Sequence, residues 1–170
     1  MRWMQGPKMA VIWTVLRVWL GIQWLEAGWH KLGEFDASGF IQGAIAKAGG
    51  ENPAVQGWYA AFLENAALPN VELFNFLIPI GEILVGIGLI FGAATISALL
   101  AGAFMNLNFL LAGTISTNPI LYTVAIILMA AGAAAYYYGA DRFLLPCLKN
   151  RVNFKRLNIE SKPERKVPAH

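Results

Sequence analysis

The sequence predicts an all-α integral membrane protein: four transmembrane helices in a bundle, with short amphipathic helices in the extracytoplasmic loop between the first two. Three observations lead there. The 170 residues are 57% hydrophobic and only 14% charged, where soluble domains carry about 25% charge. Four apolar runs approach or exceed the length needed to span, about 20 residues. The charge is also unevenly placed. After Cys147 come Lys149, Arg151, Lys155, Arg156, Lys162, Arg165 and Lys166, against Glu160 and Glu164 alone. The segment from Glu34 to Glu72 holds Glu34, Asp36, Glu51, Glu64 and Glu72 against Lys47.

The first expected span covers about residues 9–30. It has no small-x-small cleavage site and is too long for the apolar core of a signal peptide, so it reads as a retained helix. The second and third, about 73–92 and 94–112, are separated by the short uncharged "FGAAT" and should form an antiparallel hairpin. The fourth, about 120–138, follows "GTISTNP", where Asn118–Pro119 is a stop-and-restart signal. Residues 1–146 then form one membrane domain and 147–170 a basic tail. An even number of spans puts Arg2, Lys8 and the tail on one side. The positive-inside rule makes that side the cytoplasm, with both termini there and the acidic loop 31–72 outside. The tail's charge is accounted for by this rule without a nucleic-acid partner.

Within the outer loop, "SGFIQGAIAKAGG" places Phe40, Ile41 and Ile45 at helical spacing and ends on two glycines. In "ENPAVQGWYAAFLENAALPN", Asn52 is a plausible N-cap with Pro53 at the first helical position, and Trp58, Phe62 and Leu63 follow at helical spacing. Both read as interfacial helices. They either shield the bundle or cover an outward-facing site as a lid.

Ionisable groups inside the spans are the candidate chemistry, since each is costly in hydrocarbon unless it faces protein, water or a partner. Arg17, Gly21, Trp24, Gly28 and Lys31 step by three and four and form one stripe. Glu26 and His30 share another face. Glu82 lies mid-span in "GEILVGIGLIFG". Counted from the inner surface, Arg17 and Glu82 lie at similar depth, which predicts a buried Arg17–Glu82 ion pair. Asn106 and Asn108 are two apart, so one should turn to the polar core and the other to a neighbouring helix. Such groups either glue the helices together or carry function. The functional version is an outward-opening pocket. There Arg17, Lys31, Asn106 and Asn108 would bind an oxyanion, and Glu26, His30 and Glu82 would move protons as the catalytic set. Trp24, Phe104 and Phe109 would pack a quinone. For His30 and Lys31, simple snorkelling at the interface is the plainer alternative.

Several chemistries find no residues here. The histidines are His30 and His170, C-x-x-C-H is missing, and Cys147 is the single cysteine. Neither haem, an iron–sulfur cluster nor a metal site is expected, and no glycine-rich phosphate loop occurs. Cys147 is either an idle interfacial thiol or a nucleophile. Redox chemistry would need a diffusible quinone or a partner protein.

The ordered set "RVWLGIQWLEAGWHKL", "GEILVGIGLIFG", "MNLNFLLAGTISTNP" and "YGADRFLLP" resembles the DoxX family of small four-helix membrane proteins. Within it the chain is similar to the DoxD-type large subunits of thiosulfate:quinone oxidoreductases. The likeness runs from about Arg17 to Pro146. It implies oxidation of thiosulfate to tetrathionate with electrons passed to membrane quinone, alongside a smaller partner subunit. The family's helix-one Arg, Gly and Lys fall on Arg17, Gly21, Gly28 and Lys31, its helix-two acid on Glu82, and its helix-three Asn pair on Asn106 and Asn108. Two rival classes stay open: a non-catalytic accessory or anchor subunit of a redox complex, and a small-anion transporter, which homodimerisation through glycine-bearing faces would enlarge.

Overall fold

A computed structural model describes residues 6–147. Among them there is no strand. Helix α1 spans Pro7–Lys31. Two short helices follow, α2 (Ala37–Ala46) and α3 (Gly57–Phe62). The chain then runs through a π-turn, Leu63–Ala67, and a 3-10 turn, Leu68–Asn70, into α4 (Val71–Phe91). Helix α5 covers Thr95–Leu111 and α6 covers Asn118–Ala131, extended by a 3-10 turn over Gly132–Tyr136. A last helical segment occupies 141–147. The basic residues from Lys149 onward, and Arg2, lie outside the described residues.

Helices α1, α4, α5 and α6 alternate in direction. One end of the bundle carries α2 and α3, and the other carries the α4–α5 turn and residues 136–147. Two helical stretches are long and apolar enough to cross a membrane, Gly57–Phe91 and Asn118–Tyr136, and Thr95–Leu111 is a shorter apolar helix. Only 28% and 33% of the two long apolar windows lie inside the protein. Val15 on α1, Phe76 and Leu84 on α4, and Phe104 on α5 are 63–67% exposed. A water-soluble monomer rarely shows so continuous an apolar exterior, so these helices are those of an α-helical membrane protein.

The closest packing is between α1 and α4, and glycine makes it possible. A Cβ on Gly86 would stand 2.6 Å from the Leu25 amide nitrogen, one on Gly21 2.9 Å from the Gly86 carbonyl oxygen, and one on Gly28 2.8 Å from the Pro79 carbonyl oxygen. These contacts set the axial register and bring Glu82 level with Ala27. The main core then collects Leu20, Trp24, Leu89, Leu99 and Leu128.

The α4–α5 turn is tight because Gly92 takes φ +64° and closes α4 through its N–H to the Gly88 carbonyl. Ala94 enters α5 at φ 51°. The free N-terminus of α5 is capped from far along the chain. The buried Asp141 carboxylate accepts from the Ala94 N–H at 2.7 Å and the Thr95 N–H at 2.6 Å.

The second outer helix starts later than the sequence suggests. Asn52 and Pro53 do not open it; Gln56 precedes the first helical residue, Gly57. The Lys47 carbonyl accepts from the amides of Ala54 and Val55 at 3.0 and 3.3 Å. That folds 47–55 into a closed loop around the fully buried Val55. Trp58 and Phe62 point outward, while Tyr59, Ala60 and Leu63 face a second core with Ala37, Ile41 and Ala44. Asp36 caps α2 by accepting from Ser38 and Gly39, as its place before a helical run favours.

Candidate functional site

The stripe along α1 does gather on one side, but its charges go to two separate places. Arg17 is 1% exposed. Its Nη1 donates to the Leu89 carbonyl and its Nη2 to the Tyr138 carbonyl, both at 2.9 Å. Its guanidinium fills the space above Gly92, where any Cβ would overlap it, and lies 3.3 Å from where a Cβ on Gly139 would stand. Asp141 supplies the nearby negative charge. Arg17 therefore ties α1 to the last turn of α4 and to the segment after α6. Cations suit the carbonyl end of a helix.

The expected Arg17–Glu82 pair does not form. With Glu82 level with Ala27, Arg17 lies about 15 Å away along the axis, at roughly 1.5 Å per residue. Lys31 takes the place instead: its Nζ is 2.5 Å from Glu82 Oε1, with side-chain exposures of 28% and 1%. Lys31 stands one turn beyond Ala27 and reaches inward on its flexible stem. Its ammonium also lies 5.2 Å from the Phe109 ring centroid and 5.8 Å from that of Phe35, within cation–π range.

Around this pair is a cavity of about 560 Å³. Helix α1 contributes Trp24, Glu26, His30 and Lys31. Glu82 comes from α4, Phe109 from α5, Thr114, Ser116 and Thr117 from the turn before α6, and Asn118 from its first residue, with Phe35 and Phe40 on the α2 side. Glu26 and His30 stand at the rim, 3.9 Å apart with side chains 62% and 76% exposed. The wall combines charged and hydroxyl side chains with the rings of Trp24, Phe35, Phe40 and Phe109, and Glu82 is among its most buried members.

Several buried polar atoms near this level have no hydrogen-bond partner in the protein: Glu82 Oε2, Trp24 Nε1, and both amide atoms of Asn106. A Cβ on Gly102 would touch Trp24 Nε1 and Val85 at 3.2 Å. Asn106 is one turn beyond Gly102 on α5, and Glu82 is nearly one turn beyond Val85 on the antiparallel α4. Asn106 thus lies near the level of Glu82, although it does not line the cavity. Asn108 turns away. It accepts from the Tyr59 hydroxyl at 3.0 Å and donates to the Phe104 carbonyl at 2.8 Å.

Of the residues singled out from the sequence, the cavity brings together Trp24, Glu26, His30, Lys31, Glu82 and Phe109. It leaves Arg17 at the opposite end of the bundle. Phe104 and Asn108 line a separate groove with Phe109. Phe35, Thr114, Ser116 and Thr117 escaped the sequence reading, because they come from loops whose course periodicity does not fix. Phe40 on α2 reads from the sequence as a helix residue and Asn118 at the start of α6 as a restart signal, neither with a place at the site. Asp141 was also missed, though it lies within the quoted "YGADRFLLP". A lone acid beside a span end, with a positive-φ Ala–Thr helix start elsewhere, gives no local sign of pairing.

The family comparison adds one finding: the DoxX model matches residues 12–115. That stretch runs from α1 to the turn after α5 and contains Lys31, Glu82 and Phe109. No curated protein and no solved structure matches the chain. With more than half its length matched, the chain belongs to the DoxX family.

Proposed function

We propose that the protein is a quinone-linked oxidoreductase subunit of the prokaryotic cytoplasmic membrane that oxidises thiosulfate to tetrathionate. In this reading α1, α4, α5 and α6 all cross the bilayer. The α2–α3 end lies outside, and the end bearing Lys8 and Arg142 faces the cytoplasm. Helix α5, at 17 residues, is about 26 Å long, close to the hydrocarbon thickness of about 30 Å. Helix α1 can cross because Arg17 is buried in the bundle, with Nη1 and Nη2 each donating to a carbonyl, rather than exposed to lipid.

The carrying observation is the Lys31–Glu82 pair inside an aromatic cavity that opens toward the α2–α3 end. The residues suit a quinone ring. The cavity volume falls within the 300–1,000 Å³ common for small-molecule sites, and Trp24, Phe35 and Phe109 offer flat apolar walls. Lys31 can donate to a ring carbonyl oxygen. A bound quinone supplies the two-electron acceptor. Two thiosulfates lose two electrons and join through one new S–S bond, and the quinone takes those electrons and two protons. Glu82 and Lys31 stand beside the ring position to hand on protons, and Glu26 and His30 at the rim can pass replacements from water. Lys31 brings positive charge toward the mouth, where an inorganic anion arrives. Arg17, far from the cavity, has no part in binding it.

The test is anaerobic. The full chain in nanodiscs is mixed with a quinone and, separately, thiosulfate, sulfite or sulfide, and quinol is followed optically. Quinol formation with thiosulfate alone, abolished by Glu82→Gln in a correctly inserted protein, is the expected result. Absence of quinol with every donor, or turnover untouched by Glu82→Gln, rejects the assignment.

A further inference from the structure

Beside the polar cavity lies a second opening of about 320 Å³, bounded by α2, the α3–α4 stretch and α5. We infer that this groove holds the isoprenoid tail of the quinone whose ring occupies the cavity, and that the ring reaches its site sideways from the bilayer. The inference rests on the quinone reading above.

Continuity comes first. Phe40 and Phe109 line both spaces, and their rings meet edge to face with centroids 5.9 Å apart. The two rings form part of the wall between them. Phe109 also carries the Lys31 ammonium 5.2 Å from its centroid, so one side chain borders the ion pair and the groove.

Chemical contrast comes second. The groove wall is Ile41, Leu63, Ala67, Phe74, Leu77 and Phe104, with Tyr59 and Asn108 as its polar members. Those two are already satisfied: the Tyr59 hydroxyl donates to the side-chain and backbone oxygens of Asn108, whose amide donates to the Phe104 carbonyl. They leave little for a ligand to bond. The cavity next door is lined instead by Glu26, His30, Lys31, Glu82 and the polar side chains of Thr114, Ser116 and Thr117. A hydrogen-bonding ring joined to a hydrocarbon chain matches this pair of spaces.

Access comes third. Phe62, Leu77 and Phe104 on the groove wall are 46%, 51% and 67% exposed, on the apolar exterior that faces lipid. The π-turn at Leu63–Ala67 widens the helix where Leu63 and Ala67 form the wall. Insertions of this kind recur at functional sites.

Two photoreactive quinones test the idea on the full chain in nanodiscs, one with an azide on the ring and one with a diazirine on the first tail unit. Ring labelling on α1 near Lys31, with tail labelling on the Leu63–Leu77 segment, is expected. Leu77→Trp should then weaken a tailed quinone about tenfold, the worth of roughly two buried methylenes, and leave a tailless ring analogue unchanged. Ring labelling in the cavity with tail labelling outside the groove overturns the inference and leaves the quinone reading intact. No ring labelling in the cavity overturns both. A diazirine phosphatidylcholine that labels the groove and is not displaced by tailed quinone assigns the groove to lipid and overturns the inference.

Discussion

Lys31 closes α1 and Glu82 sits midway along α4, yet the ammonium and the carboxylate meet at 2.5 Å. The pair is lopsided. Glu82 is sealed from solvent while Lys31 keeps a path to the mouth, and only one carboxylate oxygen is bonded. A proton or ligand from outside meets Lys31 first and reaches the acid through it. A sealed acid with one bonded oxygen beside a reachable cation is the arrangement on which the proposed proton transfer rests.

The first prediction concerns coupling. Lys31→Met leaves a buried carboxylate without its donor and should destabilise the protein by about 1–3 kcal/mol. Adding Glu82→Gln to that variant should recover much of the loss, because the orphaned charge is gone. Thermal unfolding of both single variants and the double in one detergent checks this. Additive losses would show that the two groups do not depend on each other.

Arg17 makes a contrasting case. Its planar fork serves two carbonyls on different elements, a geometry that an ammonium on a shorter, differently shaped head does not reproduce. Arg17→Lys should lower stability by about 1–2 kcal/mol through at least one lost charged hydrogen bond. Turnover per folded molecule should hold within about twofold, as Arg17 does not line the cavity and the Glu82 level lies about 15 Å away along α1. A raised KM for the anion with unchanged stability would return Arg17 to the binding site.

That contrast shows where sequence reading succeeds and where it stops. The spacing of Arg17, Gly21, Trp24, Gly28 and Lys31 correctly gives one face of α1, because 3.6 residues per turn fixes angular position within a helix. Nothing in that period fixes how far one helix slides along another. The slide is set by backbone contact of Gly21 and Gly28 with Gly86, Ile90 and Pro79, and it moves Glu82 from the level of Arg17 to that of Ala27. The hairpin of α4 and α5 was legible from "FGAAT", whose glycine must take positive φ. The later start of α3 was not, since Asn52–Pro53 is a sound helix opening until Lys47 draws Ala54 and Val55 back into a loop.

The same register gives a prediction about glycine. Gly86→Ala would put a methyl 2.6 Å from the Leu25 nitrogen, and backbone cannot yield as a side-chain tip can. The helices must separate, at a cost of about 1–3 kcal/mol, and the Lys31–Glu82 contact should loosen with them. Gly43→Ala is the control. It lies within α2 with nothing inside 4 Å, so alanine should stabilise by about 0.5–1 kcal/mol. Opposite signs in unfolding midpoint are expected. Equal, small effects would mean that α1 and α4 do not pack through Gly86.

At the other end, Asp141 caps α5 by two short bonds, and Ala94 holds an unfavourable positive φ to allow it. Asp141→Ala should cost about 1–2 kcal/mol, and Ala94→Gly should stabilise by up to about 1 kcal/mol by relieving the left-handed backbone. Melting curves of the two variants should move in opposite directions. If both fall, Ala94 is not strained in the folded protein.

Asn106 separates stability from ligand binding. It is fully buried and both amide atoms lack a partner, so in the ligand-free protein it is a burden of about 1–3 kcal/mol. Asn106→Leu, close in volume and without polar atoms, should raise the unfolding midpoint. If the amide serves only packing, quinone affinity will be unaffected. If a water or ligand atom links it to Glu82, which lies near the same level, the stabilised variant should bind the tailless ring analogue about tenfold more weakly, the value of one lost hydrogen bond in a dry site. We expect a stability gain together with an affinity loss, read by thermal unfolding and equilibrium titration on the same preparation. A loss of stability instead would mean that the amide is bonded in the folded protein, and the unpartnered polar level between α1, α4 and α5 would no longer include it.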